Sequence, residues 1–340
     1  MLTGPAFAIA EEGAAFGSGE KIKNYESMSV QEKWNVLAAV ANLYYNSDLT
    51  QSQIAERLYT SRSRISRMLK EARELGIVEI HIQEPWERNL AYESRLKEAF
   101  SLKNVRVIST KDTNRDNGLS RIAEATAYYL DSIVKQGMVV GISWGNTLYH
   151  IVKRISTNNR KNIPITVVPI MGAASLKSPE KDGLDLAKDL ASAYGGKYRY
   201  IYAPLFVKNR ELKESLVQEE NIKRVLELSA GADTILTSVG SIVYKSWSNY
   251  LSISTLETLE SRGAVGHIGG HFYDVQGREL ETSLSERMIG STLEDIRRCP
   301  EVVCAACGES KAEAVLGALR GGFLNTLVVD ERCAGRILGL

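Results

Sequence analysis

The sequence predicts a two-part α/β protein, an N-terminal helix-turn-helix domain followed by an α/β domain built on a mainly parallel sheet. Two patterns point there. Residues 50–82, TQSQIAERLYTSRSRISRMLKEARELGIVEIHI, read as two short helices joined by a tight turn, the second carrying Arg62, Arg64, Arg67, Lys70 and Arg73 with only one acid, Glu71, among them. From Asn104 onward, β-branched runs alternate with helical stretches, the pattern of strand–helix–strand units.

Composition sets the frame for both. A chain of 340 residues is long enough for two to three domains, and 44% hydrophobic with 24% charged residues is ordinary for a soluble protein. Net charge is only +1, so affinity for a polyanion must come from a local concentration of charge, which residues 60–73 supply. No uncharged apolar run approaches the roughly 20 residues that cross a bilayer, so no membrane partner is expected. The opening MLTGPAFAIAEEGAAFGSGEK has acids where a signal peptide needs an apolar core, and residues 1–27 are expected to form a disordered leader. Cys299, Cys304, Cys307 and Cys333 give no disulfide framework, which makes a reducing cytoplasm the expected setting.

In chain order, a first helix is expected from about Ser29 to Tyr45, with Trp34, Leu37, Ala38, Ala41 and Tyr44 on one stripe. Thr50 with Gln53 forms a capping-box pattern, so a second helix starts there and buries Ile54, Ala55 and Leu58. Ser61 caps a third, whose Ile65, Leu69 and Ala72 share a face with Met68 at its edge, and Gly76 stops it. Val78, Ile80 and Ile82 then alternate as a strand would, completing a DNA-binding domain over 28–84. Pro85 breaks the chain, and 85–103 reads as a linker helix with Tyr92, Leu96, Ala99 and Phe100 aligned. Over 104–340 the strand candidates are VRVIS, MVVGIS, ITVVPI, TILTSV, AVGHIG, VVCAAC and TLVVD, separated in places by helices such as Leu119–Val134 and Lys311–Leu319.

With Ile65 taken as inward and about 100° per residue, Ser63, Ser66, Arg67 and Lys70 point outward and Arg64 lies on the flank. The start of a recognition helix meets base edges, which nominates Arg62, Ser63, Ser66 and Arg67, while Arg64, Lys70 and Arg73 suit phosphates. A solvated basic face on a merely packed helix is the plain alternative. The capping box, the Ser cap and the clustered arginines argue for double-stranded DNA instead.

In VVGISWGNTLYH (139–150) a strand passes through a Ser/Gly turn into a helix, a junction that aims backbone N–H groups and the positive helix end at one point. Ser143 and Thr147 add hydroxyls, and Gly145 lets backbone approach a ligand closely. TSVGSI places Gly240 and Ser241 past another strand, and CGESK places Lys311 at the start of another helix. Ligands of open parallel sheets collect at such strand ends, so a phosphorylated small molecule is the expected occupant. His267, His271 and Asp274 in GHIGGHFYD read as a structural strand pair, and Cys304-x-x-Cys307 as buried thiols; no cofactor or metal is expected.

The order of these motifs resembles the SorC family of bacterial transcriptional regulators. The resemblance rests on LTQSQIAERLYTSRSRISRMLKEARELGIV, GISWGNTL, GAVGHIGGHFYDVQG and KAEAVLGALRGGFLNTLVVDE. It implies a Rossmann-like effector domain folded like phosphosugar isomerases and deaminases but kept for binding, and tetramers on operator DNA loosened or reorganised by a phosphorylated sugar. It places the phosphate near Ser143, Gly145, Asn146, Thr147 and Lys311, with Gly240 and Ser241 lining the same cleft. Two positions depart from the family pattern. His267 stands where Asp is usual, which implies an effector of different stereochemistry or with another acidic group, and Cys307-Gly308 replaces a Gly-Gly pair. Two other functions compete: a phosphosugar isomerase or deaminase, with Asp233, His267, Asp274 or Asp330 as base, and a module whose basic helix binds an acidic protein.

Overall fold

The computed structural model describes residues 25–78, 86–110, 115–157, 162–174, 178–242, 247 and 250–339. They fall into two units divided between Glu84 and Pro85.

The first unit contains α1 (Val30–Tyr45), α2 (Gln51–Arg57) and α3 (Arg62–Glu74). Capping boxes start α1 at Ser29/Glu32 and α2 at Thr50/Gln53, and the Ser61 hydroxyl accepts the Arg64 N–H to start α3. One core joins Leu37, Val40 and Ala41 to Ile54, Ala55, Leu58, Ile65, Met68, Leu69 and Ala72. The buried stripe of α1 is turned from the expected one: Val40 is fully buried, whereas Trp34 is 43% exposed. Gly76, at φ +72°, takes the left-handed conformation that ends α3. Tyr25–Ser27, counted in the expected leader over 1–27, instead form a 3-10 turn, and the Tyr25 ring packs into this core. Residues 1–24, and the expected strand residues Ile80 and Ile82, lie outside the described residues.

The second unit runs α4 (Leu90–Phe100), β1 (Asn104–Ile108), α5 (Arg115–Ile133), β2 (Val139–Ile142), α6 (Asn146–Thr157), β3 (Thr166–Pro169), α7 (Gly183–Ala193) and β4 (Lys197–Tyr198). It continues through α8 (Arg210–Gln218), α9 (Glu220–Ala230), β5 (Thr234–Thr237), β6 (Gly240–Ser241), α10 (Ile253–Ser261), β7 (Ala264–Ile268) and β8 (His271–Asp274). α11 (Leu293–Arg298), β9 (Glu301–Ala306), α12 (Ala312–Arg320), β10 (Thr326–Asp330) and α13 (Glu331–Gly339) complete it. Seven strands form one parallel sheet in the order β1-β10-β9-β5-β2-β3-β4. Its strands are apolar on both faces because helices cover both, and side chains alternate between two cores. Along β9, Val302, Cys304 and Ala306 face the core shared with α12 and α13, while Val303 and Ala305 face the one shared with α5, α6 and α7.

AVGHIG lies outside this sheet. β7 turns into β8 through Gly269 and Gly270, at φ +57° and +98°, and a two-residue connection permits only antiparallel pairing. With β6 they form a separate three-stranded sheet. The helix expected as a linker over 85–103 also belongs to this unit. Arg88 and Val107 N–H both bind the Glu93 carboxylate, Leu96 is fully buried, and Asn89 Nδ2 donates to Glu331 at 2.7 Å. α4 is thereby fastened to β1 and α13.

The chain order reverses in the middle of the sheet. β2 leads outward through β3 to β4, whereas β5 lies on the other side of β2 and is followed by β9 and β10. The carboxyl ends of β2 and β5 flank the resulting crevice, the place where doubly wound sheets hold ligands.

Candidate functional site

On α3, burial of Ile65, Met68, Leu69 and Ala72 leaves Arg62, Ser63, Ser66, Arg67, Lys70 and Arg73 exposed. Arg64 is half-buried, its guanidinium 6.0 Å from the centre of the Tyr25 ring. Lys70 pairs with Glu74 at 3.4 Å across one helical turn, an exposed pair that leaves the ammonium accessible. Apart from Arg64, the expected base-reading and phosphate positions are therefore all exposed on α3.

In the second unit the crevice opens into a cavity of about 620 Å³. The loop after β2 and the first turn of α6 give Ser143, Trp144, Gly145, Asn146 and Thr147; the segment at the carboxyl end of β5 gives Ser238, Val239, Gly240 and Ser241; β7 gives His267; and the turn after β9 gives Cys307 and Lys311. All eight residues expected at an effector site thus line one cavity.

Lys311 closes a 3-10 turn ahead of α12, and its ammonium donates to Thr147 Oγ1 at 3.3 Å and Ser238 Oγ at 3.2 Å. The Thr237 hydroxyl donates to Ser143 Oγ at 3.0 Å, so strands β2 and β5 are joined at their ends. Gly308 sits at φ +100°, and its N–H donates to Asp330 at 2.6 Å, which fixes the turn that delivers Lys311. In α6 the first intrahelical bond runs from Tyr149 N to the Gly145 carbonyl, leaving the preceding amides at the positive helix end by the cavity. A cation, two hydroxyls and a helix start converge here, the donor set that holds a phosphate or carboxylate.

Gly145 sits at φ +111°, a backbone conformation that favours glycine. Its N–H is engaged by the Lys181 carbonyl at 2.9 Å and braces the turn. Close approach within the protein occurs at Gly240, where a Cβ would stand 1.8 Å from His267 Nε2. That contact seats the imidazole, which also lies 5.1 Å from the Trp247 ring centre. Burial, reinforced by the Lys311 charge, lowers the His267 pKa to about 3, and the ring is neutral near pH 7.

His271 is tied to Glu279 at 2.5 Å and to the Ser291 carbonyl at 2.9 Å, a structural arrangement. Burial pushes the Cys304 thiol up to about 12, but Cys307 is only half-buried and faces the cavity, unlike the buried pair expected. Among the four candidate bases, Asp233 accepts the Val139 N–H, Asp274 is bound by Arg278, and Asp330 holds Gly308; only His267 lines the cavity. Ser178 and Lys181, in the turn before α7, and Trp144 and Tyr250, whose rings lie 5.1 Å apart, also line the cavity and are not among the residues expected there from the sequence. Ser238 was within sight, two residues before Gly240 in TSVGSI. Lys181 had only its place before the helix-capping Asp182 to mark it.

Residues 84–339 match the family model described as "Putative sugar-binding domain", and residues 31–85 match a model of the MarR family. The chain is 30% identical over 306 residues to the deoxyribonucleoside regulator of Bacillus subtilis, spanning 89% of this chain and 97% of that one. It is 30% identical over 322 residues to the transcriptional regulator LsrR of Klebsiella pneumoniae, spanning 93% and 96%. The crystal structure of the full-length sorbitol operon regulator SorC from Klebsiella pneumoniae superposes with a TM-score of 0.70 at 28% identity, covering 89% of this chain and 98% of that one. Sequence likeness and fold likeness agree: this chain belongs to the SorC family of sugar-binding, DNA-binding transcriptional regulators.

Proposed function

We propose that a phosphorylated sugar of a carbohydrate-catabolism operon binds at Lys311 and sets how tightly α3 reads operator DNA. The observation that carries this is the convergence of Lys311, Thr147 and Ser238 at the start of α6, in a crevice where the sheet order reverses. Phosphate oxygens would replace the two hydroxyls as partners of the ammonium, with Ser143 and the amides of the α6 turn around them. Gly240, Ser241 and His267 would face the sugar, and Asn146, which is exposed, would reach it from the rim.

On α3, Arg62, Ser63, Ser66 and Arg67 would meet bases in the major groove, while Arg64, Lys70 and Arg73 hold phosphates. Control of one site by the other requires that the ligand favour one of two arrangements. α4, fastened to β1 and α13, is the first helix after the division at Glu84 and the natural carrier of such a change. Assembly as a tetramer on operator DNA in the cytoplasm belongs to the same reading.

A binding role fits better than an isomerase or deaminase. Such enzymes need a carboxylate or basic nitrogen poised near the reacting carbon; here Asp233, Asp274 and Asp330 are spent on structural bonds, and His267, the candidate that lines the cavity, is a weak base with its pKa lowered to about 3.

A thermal-shift panel of phosphorylated sugars beside their unphosphorylated parents tests the proposal, with operator gel shifts repeated for each ligand that stabilises the protein. At least one sugar phosphate is expected to raise the melting temperature and change operator affinity. Equal response to phosphorylated and parent sugars, or stabilisation without any change at the operator, would refute it. Sedimentation with and without operator tests the tetramer.

A further inference from the structure

Resting on the phosphosugar reading above, we propose that the effector is a phosphorylated sugar acid, carrying a carboxylate besides its phosphate, and that His267 and Lys181 select for it.

The cavity is rich in donors and poor in acceptors. Among the described residues that line it, none is Asp or Glu, while two are lysines, Lys181 and Lys311. A neutral sugar chain offers hydroxyl donors as well as acceptors, and carboxylates are the side chains that accept without donating. Among the side chains of the described lining residues, the oxygen and nitrogen acceptors are hydroxyls, one amide and the neutral imidazole of His267. A ligand made of acceptors suits this lining better than one made of hydroxyls.

The charge leads the same way. Lys311, with Thr147, Ser238 and the start of α6, accounts for one anionic group. Lys181 is a second cation with a fixed place. Its carbonyl holds the Gly145 N–H, and its ammonium stands 5.8 Å from the centre of the Tyr149 ring on α6. No carboxylate among the described residues pairs with it. Lys181 and Lys311 both line this cavity, and like charges at one site are relieved by a ligand that brings negative charge to both. A carboxylate at position 267 would neutralise Lys311 and repel a ligand carboxylate; the imidazole does neither.

Isothermal titration of the full-length protein with matched pairs tests this: 6-phosphogluconate against glucose 6-phosphate, 6-phosphogalactonate against galactose 6-phosphate, and inorganic phosphate as the reference. In at least one pair the acid is expected to bind about tenfold or more tightly than the neutral sugar phosphate, as a second charge-assisted contact provides. Lys181→Gln and His267→Asp should each shrink that ratio, and His267→Asp should do so by weakening the acid. Should neutral members bind as tightly as acids in every pair, or the ratio survive both substitutions, the proposal falls while the phosphosugar reading stands. Were no sugar phosphate to bind more tightly than inorganic phosphate, both would fall.

Discussion

On α3, the side chains proposed to meet DNA stand opposite Ile65 and Leu69 on one helix, whereas the cavity of the second unit draws Ser143, Ser238, His267 and Lys311 from four separate places in the chain. The first surface follows from one period. Once the apolar residues of a helix are buried, the direction of every other side chain is set. The second depends on strand order, because Lys311 and Thr147 are far apart in sequence and meet only when β9, β5 and β2 lie side by side. A reading surface built on one helix can vary residue by residue. The cavity cannot, since its groups also hold the strand ends together.

The largest expected effect challenges that contrast directly. Ile65→Ala removes a fully buried side chain from a small core and should cost the first unit about 2–5 kcal/mol. Calorimetry should show the first unit melting earlier while ligand stabilisation of the second unit persists; loss of both together would mean that the two cores do not behave separately. Arg67→Ala should weaken specific operator binding by about 1–3 kcal/mol. Gel shifts against operator and scrambled duplex would show it, and equal loss on both would reassign Arg67 to phosphate contact.

Gly240→Ala works from the other side. Its Cβ would fall 1.8 Å from His267 Nε2, and such overpacking costs about 1–3 kcal/mol. Ligand stabilisation should fall while operator binding without ligand stays as it was; the reverse result would place Gly240 away from the effector.

The last effect is a slope, with no penalty near neutral pH. The pKa of His267 is lowered from 6.5 to about 3 in the folded chain. Between those values the unfolded chain takes up a proton that the folded one refuses, so stability falls as pH drops from 6.5 towards 3, and above 6.5 the penalty is absent. His267→Gln should flatten this part of the stability–pH curve by up to about 1.4 kcal/mol per pH unit. Denaturant titrations at several pH values would measure it, and an unchanged slope would mean that the imidazole titrates normally.

Local chemistry was the legible part. The Thr50/Gln53 box, the Ser61 cap and the Gly76 stop are satisfied within a few residues, and they stand where the sequence put them. All seven strand candidates are strands, since runs such as VVCAAC have only a buried sheet in which to place apolar groups on both sides. Less legible were strands of two residues, β4 and β6, which exist through their neighbours and carry no pattern of their own. Trp34 shows the limit within a helix: α1 has apolar residues on more than one stripe, and packing against α2 and α3 chose Val40.

By itself, the sequence determined where the longer strands lie and where α2 and α3 begin, which face of α3 stays wet, and which loops could bind an anion, because each of these is settled by hydrogen bonds and burial over a turn or two. Only the tertiary structure decided that β7 leaves the parallel sheet, that α4 is fastened to β1, that Gly240 makes room for His267, and that Lys181 joins Lys311 at one cavity. Those outcomes depend on which strands become neighbours, and neighbourhood is a property of the whole packed sheet.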